Sequence, residues 1–378
     1  VTDKRPNILI ITTDQQTATM MSCAGNLWLK TPAMDRIAAG GVRFETAYCS
    51  NPVCVPARFS MFTGHMPSLV GMKANGTKHI ETIPPAVRET GMGRLLAAAG
   101  YTAAYGGKEH LPKMKADDLG FDVVTRDERD DLSRTASDWL AEPPDRPWCL
   151  VASFINPHDI CYMAIRESLQ TWFEKIVCEK GYTEQAELDA ALRLPPGVGR
   201  EEFFAQYCPP LPPNFEPAPD EPQAIRRHLE LSPFRVKARA EWTPEKWRLH
   251  RWAYARLTER VDAQIAPLLD ALDASGQAAN TVVIFTSDHG DHDSARRMEH
   301  KSVPWDSAAR VPFLVRWPGH TPAGAVDTTH LVSNGLDLVP TVCDLAGTPI
   351  PEALRGRSVV PLLSGRPAPW RDSLLVES

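Results

Sequence analysis

Asn7-Ile8-Leu9-Ile10-Ile11-Thr12-Thr13-Asp14 is an unbroken β-branched and apolar run closed by a carboxylate. No polar residue alternates with the apolar ones, so both faces are expected to be buried, as in a parallel strand covered by helices on either side. Asp14 then falls at the strand's carboxyl end, the edge where open α/β sheets bind their ligands. The same unit recurs: Tyr101 to Tyr105 leads into Gly106-Gly107-Lys108-Glu109-His110, Trp148 to Ile155 delivers Asn156-Pro157-His158-Asp159, and Thr281 to Thr286 ends at Ser287-Asp288-His289-Gly290.

Helix signals lie between these strands. Thr31-Pro32 supplies an N-cap and a first-turn proline for a helix through Ala39, stopped by Gly40-Gly41. Val42 to Ala47 reads as a strand, Val55 to Thr63 as a helix, and Met92 to Ala99 as another, closed by Gly100. Thr243-Pro244 opens a long amphipathic helix whose Trp247, Trp252, Tyr254, Leu257, Val261 and Ile265 are expected in the core. Val311 to Trp317 reads as a strand, and Asn334 as the cap of a helix running to Leu345 and ended by Gly347. Strands alternating with helices predict an α/β fold: a large, mainly parallel sheet sandwiched by helices. Residues 160–240 break the pattern with proline-rich pieces such as Pro209-Pro210-Leu211-Pro212-Pro213, an excursion expected to shape a substrate entrance.

At 378 residues and 43% hydrophobic, the chain can bury a large core. A net charge of −6 excludes a general basic field for nucleic acid, so an anionic partner must be met by a few placed cations. The longest apolar runs are strand-sized, too short to span a bilayer. Of eight cysteines, setting Cys54 aside leaves an odd seven without tight spacing, which favours free thiols and a reducing compartment. The opening Val1-Thr2-Asp3-Lys4-Arg5-Pro6 carries no signal-peptide stretch. Cytoplasmic placement is preferred on that ground, with a periplasmic one left open for a trimmed chain.

The stretch Asn51-Pro52-Val53-Cys54-Val55-Pro56-Ala57-Arg58, with Phe59-Ser60-Met61-Phe62-Thr63-Gly64 after it, resembles the signature by which sulfatases have a cysteine oxidised to formylglycine. With Asp14, Cys54, Lys108, His110, His158, Asp288, His289 and Lys301 taken in order, the chain resembles sulfatases of the alkaline-phosphatase superfamily over nearly its whole length. The resemblance implies one divalent cation held by Asp14, Gln15, Asp288, His289 and the modified Cys54. Oxygen ligands favour Ca²⁺, and the histidine admits Mn²⁺, with Mg²⁺ a further option.

It further implies a hydrated formylglycine at position 54 as nucleophile, steadied by Arg58. Lys108 is expected to bridge nucleophile and sulfate, His110 to receive the nucleophile's proton, His158 as an imidazolium to protonate the leaving oxygen, and Lys301 and His300 to bind substrate. Partners follow: a small-molecule or oligosaccharide sulfate ester, preferably a sulfated sugar, and a formylglycine-generating enzyme during maturation. Three positions depart from the common pattern. Gln15 stands for an aspartate, His289 for an asparagine found in several members, and Glu109 for a tryptophan. Gln15 with His289 also suits a phosphonate monoester or phosphodiester hydrolase, and a non-catalytic sulfated-glycan binding protein is the reading from another class. The resemblance places the catalytic domain at 1–357. Ser373-Leu374-Leu375-Val376 is read as the opening strand of a C-terminal subdomain, reduced or truncated, over 358–378.

Overall fold

The computed structural model describes residues 5–76, 78, 80, 82–365 and 368–378; most of the amino-terminal hexapeptide read above lies outside them. Ten strands form: β1 Asn7–Asp14, β2 Val42–Phe44, β3 Ala47–Tyr48, β4 Thr102–Gly107, β5 Asp122–Thr125, β6 Trp148–Pro157, β7 Thr281–Ser287, β8 Phe313–Arg316, β9 Ala325–Asp327 and β10 Val332–Ser333. Eight of them make one sheet in the order β5-β4-β6-β1-β7-β8-β2-β9, and β10 pairs with β3 in a second. Within the large sheet β8 alone runs antiparallel to its neighbours β7 and β2.

β1 is central, parallel to β6 on one side and β7 on the other. Its side chains alternate between two cores, as strand geometry requires. Ile8 and Ile10 join Phe59 and Phe62 of the Cys54–Thr63 helix on one face. Leu9 and Ile11 join Val261, Ile265 and Leu268 of the Pro244–Ala274 helix on the other. Burying each such side chain contributes about 1.5–3 kcal/mol, so this octet fixes the middle of the sheet. Because β4, β6, β1 and β7 are adjacent and parallel, their carboxyl ends open on one edge, and the polar clusters after them meet there.

The Pro244–Ala274 helix starts as expected, with the Thr243 hydroxyl accepting from the Lys246 amide, and Trp247, Trp252, Tyr254, Leu257, Val261 and Ile265 are all buried. Its first half shares an apolar cluster with residues of the 160–240 excursion, including Tyr162, Ile165, Leu188, Phe234 and Ala238. That excursion is helical, with segments such as Tyr162–Ser168, Gln223–Glu230 and Pro233–Glu241.

Several local expectations are corrected. Val42–Ala47 is not one strand: β2 pairs in the large sheet, whereas Ala47 belongs to β3 and pairs with Val332. Thr31 makes no side-chain cap; the Asp262 carboxylate accepts from the amides of Ala33 and Met34 at 3.0 and 2.9 Å. The Asn334–Leu345 helix is capped by the hydroxyl of Ser333, and Asn334 instead donates to Thr286 Oγ1 at 3.2 Å, tying the helix to β7. Among the described residues no helix is long and apolar enough to cross a membrane.

Candidate active site

Cys54 is the first residue of its helix, after Val53 in an extended conformation, so its sulfur sits at the positive end of the helix dipole. Arg58, one turn on, is fully buried and acts as the hub. Its Nε donates to Asp288 Oδ2 at 2.9 Å, Nη1 to the Lys108 carbonyl at 2.9 Å and to Ser153 Oγ at 2.8 Å, and Nη2 to Asp14 Oδ2 at 3.3 Å. One guanidinium thus joins the ends of β1, β4, β6 and β7. It was expected to steady the nucleophile; its bonds go to the two carboxylates, because a planar fork suits paired acceptors.

Asp14, Cys54, Asp288 and His289 are all buried, and their donor atoms lie within 4.8 Å of one another. Cys54 Sγ is 3.2 Å from His289 Nε2, 2.9 Å from Lys301 Nζ and 3.7 Å from Asp14 Oδ1. The His289 Nδ1–H donates to the Gly290 carbonyl at 2.8 Å, which leaves the Nε2 lone pair facing the cluster. Two carboxylates and an imidazole nitrogen suit a divalent cation. The charge balance agrees: burial and then the neighbouring Asp14 charge push the Asp288 carboxyl up, against His289 and Arg58, a conflict that a cation between them would relieve. Burial also opposes ionisation of Asp14, but Lys108, His158, Lys301 and Arg58 together hold it well below the usual carboxylate range. Burial and Asp14 oppose ionisation of the Cys54 thiol too, and are outweighed by Lys301, His289 and Lys108, so its pKa lies well below that of a free cysteine.

The remaining expected residues divide into those around the cluster and those apart from it. Lys108 Nζ pairs with Asp14 Oδ2 at 2.5 Å. Lys301 Nζ donates to Gln15 Oε1 at 2.6 Å. Gln15 is therefore not aimed at the four donors: its oxygen is taken by Lys301 and by the Cys161 thiol at 3.0 Å, and its Nε2 donates to Asp291 Oδ2 at 2.7 Å. His158 is half-buried beside Cys54; burial first, then Lys301 and Lys108, push its pKa down to about 3, so the free site holds it neutral and not as the expected imidazolium. His110 was expected on the same side of an extended segment as Lys108. Gly107 at φ 92° and His110 at φ 42° turn the chain instead, leaving Lys108 buried and His110 exposed at the cavity wall. His300 lines the same cavity, its ring 4.8 Å from that of Phe234 and its Nδ1 against Glu299. Of the other residues crowding that stretch, Asp293 pairs with Arg251 at 3.0 Å, Arg297 pairs with Glu216 at 2.8 Å, and Arg296 covers the Trp305 ring.

The cluster opens into a cavity of about 1100 Å³ bounded by His110, His158, His300, Lys301 and, from residues 160–240, Tyr162, Phe173, His228 and Arg235. A separate hollow of about 830 Å³ beside Arg256 and Arg260 contains neither Lys301 nor His158, the lining residues that contact Cys54. Residues missed in the sequence include Ser153, Asp291 and Arg235. A hydroxyl inside the otherwise apolar β6 and the acidic alternation Asp288, Asp291, Asp293 were available signals for the first two.

A family model described as Sulfatase matches residues 6–348 of the chain. The chain belongs to the sulfatase family. This sulfatase is 28% identical over 385 residues to the Delta 4,5-hexuronate-2-O-sulfatase of Bacteroides thetaiotaomicron, covering 96% of this chain and 72% of that protein. It is 30% identical over 383 residues to the ulvan-active sulfatase of Formosa agariphila, covering 97% and 66% respectively. The solved structure of a 2-O GAG sulfatase superposes with a TM-score of 0.79 at 27% identity, over 96% of this chain and 75% of that one. The sulfatase is accordingly a sulfuric ester hydrolase with the alkaline-phosphatase-like α/β fold.

Proposed function

We propose that this sulfatase hydrolyses a sulfate ester on a sulfated sugar or glycosaminoglycan fragment, with Cys54 converted to formylglycine by a generating enzyme and a divalent cation held by Asp14, Asp288, His289 and position 54. The observation that carries the reading is Cys54 at a helix N-terminus, 3.2 Å from His289 Nε2 and 2.9 Å from the Nζ of Lys301, which lines the cavity. Ca²⁺ is the favoured ion, and Gln15 can reach it only by giving up its bond to Lys301. When bound, the cation supplies Lewis acidity at the oxygens of the nucleophile and of the sulfate. The hydrated aldehyde supplies two hydroxyls, one to displace the alcohol and one to expel sulfate as the aldehyde reforms.

This chain's own residues do the rest. Lys108 and Lys301 hold the anion as point charges, and Arg58 keeps Asp14 and Asp288 in place for the metal. His158, beside Cys54, is assigned as the acid for the leaving oxygen, the charge of a bound sulfate raising its affinity for a proton. His110, on the wall, and His300 are placed to contact the sugar. The catalytic domain is assigned to residues 1–357, with 160–240 forming the entrance.

The test begins with mass spectrometry of the tryptic peptide Phe44–Arg58 after co-expression with a formylglycine-generating enzyme. Conversion removes roughly 18 Da, and the loss must map to Cys54 and not Cys49. Turnover of sulfated mono- and disaccharides by the converted protein then supports the reading. An intact Cys54 thiol despite a working generating enzyme refutes it. His289 beside the nucleophile position, with Gln15 next to Asp14, favours a second reading as a phosphonate monoester or phosphodiester hydrolase. Matched aryl sulfate and aryl phosphonate esters separate the two by their relative kcat/KM.

A further inference from the structure

Arg235, on the Pro233–Glu241 helix, is 8% exposed and lines the cavity. Several arginines with little exposure have carboxylate partners: Arg58 has two, Arg129 has Asp159 at 2.7 Å, Arg239 has Glu221 at 2.8 Å and Arg251 has Asp293 at 3.0 Å. Arg235 has none among the described residues. Its Nη1 lies 3.0 Å from His228 Nε2, its Nη2 donates to Ser302 Oγ at 3.3 Å, its guanidinium leans on the Phe234 ring, and its buried Nε has no partner. Burial pulls its pKa down to about 10, which leaves it charged at neutral pH.

The cavity around it is short of negative charge. Its lining includes the cations Lys73, Arg235 and Lys301 against one acidic side chain, Glu174. Glu174 Oε2 caps a helix start, accepting from the amides of Gln170 and Thr171, and Glu174 forms no ion pair with Arg235. A buried guanidinium without a counter-ion is unfavourable unless a ligand supplies one. Arg235 is also placed for a distinct part of the substrate: Ser302, its hydrogen-bond partner, follows Lys301, whose ammonium is at the nucleophile position. Lys301 thus reaches the nucleophile position, while Arg235 lines the same cavity one residue's contact further out.

We propose that Arg235 binds a second anionic group, a carboxylate or a further sulfate, on the sugar that carries the scissile sulfate, and so selects doubly charged sulfated sugars over singly charged ones. The planar fork, with a free Nε–H beside a second N–H, matches either group in bidentate fashion. The proposal rests on the sulfatase reading of the site and adds the charge pattern of its substrate.

The test compares wild type with R235M and R235K, each with Cys54 conversion verified by mass and with melting temperature measured. Four substrates are used: 4-nitrophenyl sulfate, a neutral monosulfated hexosamine, a monosulfated hexuronate and a disulfated hexosamine. A lost charge-assisted fork predicts a fall in kcat/KM of about 10- to 100-fold in R235M on the doubly charged sugar that wild type prefers, carried mainly by KM. Which of the two sugars suffers identifies carboxylate or sulfate as the group bound. The two singly charged substrates should change less than about threefold, and R235K should recover part of the loss. An equal loss on all four substrates, or none on any, overturns the proposal while leaving the enzyme a sulfatase. Wild type that turns over no sulfate ester overturns the reading beneath it. If R235M does not fold, R235K decides by the same ratio of doubly to singly charged substrates.

Discussion

Replacing Arg58 tests whether the site is held together by one guanidinium. The side chain is fully buried, as are Asp14 and Asp288, and it makes four hydrogen bonds to four different groups. In R58M both carboxylates lose their shared cation. Lys108 still faces Asp14 at 2.5 Å, but Asp288 keeps only amide donors and the adjacent imidazole. Removing one partner of a buried ion pair costs about 3–5 kcal/mol. R58K keeps the charge on one nitrogen with three donors, which cannot span both carboxylates. It forfeits about two bonds, so about 2–3 kcal/mol is expected. Urea unfolding of the chelator-treated proteins, followed by tryptophan fluorescence, measures both losses against a total stability of about 5–15 kcal/mol. The order wild type, R58K, R58M is expected. If R58M unfolds within about 1 kcal/mol of wild type, the guanidinium is not the hub, and the carboxylates are held by the backbone alone.

Lys108 and Lys301 should differ in the same assay although both serve the anion: K108M breaks the 2.5 Å pair with Asp14 and is expected to cost about 3 kcal/mol, whereas K301M, whose nearest carboxylate is 3.8 Å away, should fall within about 1 kcal/mol of wild type. Turnover should collapse in both, so a reversed order of stabilities would contradict the geometry. H158Q should lower kcat about 10²–10⁴-fold on a sugar sulfate but far less on 4-nitrophenyl sulfate, whose leaving group needs no proton; equal losses would remove His158 from the acid role. D262A removes the acceptor for the amides of Ala33 and Met34 and should cost about 2 kcal/mol, seen as a lower urea midpoint with unchanged kcat. Chelation should abolish turnover and lower the melting temperature, with Ca²⁺ restoring both at concentrations above its Kd; full activity in excess chelator would refute the metal reading.

The fold was legible where burial imposes a pattern on consecutive residues. β1 and β7 are apolar without alternation because each lies between two strands and under two helical layers, and that requirement is written in adjacent side chains. What depends on distant partners was not legible. Val42 to Ala47 reads as continuous, but Phe44 pairs with Asp327 in the large sheet and Ala47 with Val332 in the small one. Asn334 has the composition of a cap, yet Thr286 and Ser287 hold its amide and Ser333 takes its place. The site divides in the same way. Cys54, Asp14, Asp288 and His289 sit at or just past element ends, and Arg58 one helical turn after Cys54, positions that follow from the order of elements. The roles of Gln15 and His110 depend on backbone angles, with φ at 68° and 42°, that residue identity does not announce. Arg235 lies in the excursion, where no strand end marks the position.

The charges of the cluster explain why an anion is its natural ligand. Once Cys54 is converted and its thiol is gone, Asp14 and Asp288 contribute two negative charges, and Arg58, Lys108 and Lys301 three positive ones, all in side chains buried to at least nine-tenths, while His158 stays neutral. The surplus is positive before any cation joins, in surroundings where charges interact far more strongly than in water. The ammonium groups are already stripped of water by folding and hold provisional partners, Asp14 for Lys108 and Gln15 with Cys54 for Lys301. A sulfate oxygen therefore replaces a weak partner in a prepared pocket and does not have to dehydrate a free lysine. Such preorganised donors favour charge that develops on the leaving and attacking oxygens without further rearrangement. The cost has been met in folding, which is why the residues that matter most to binding need not be those that matter most to stability. Lys301 and Arg235, buried cavity cations without a close carboxylate, are where those two demands diverge.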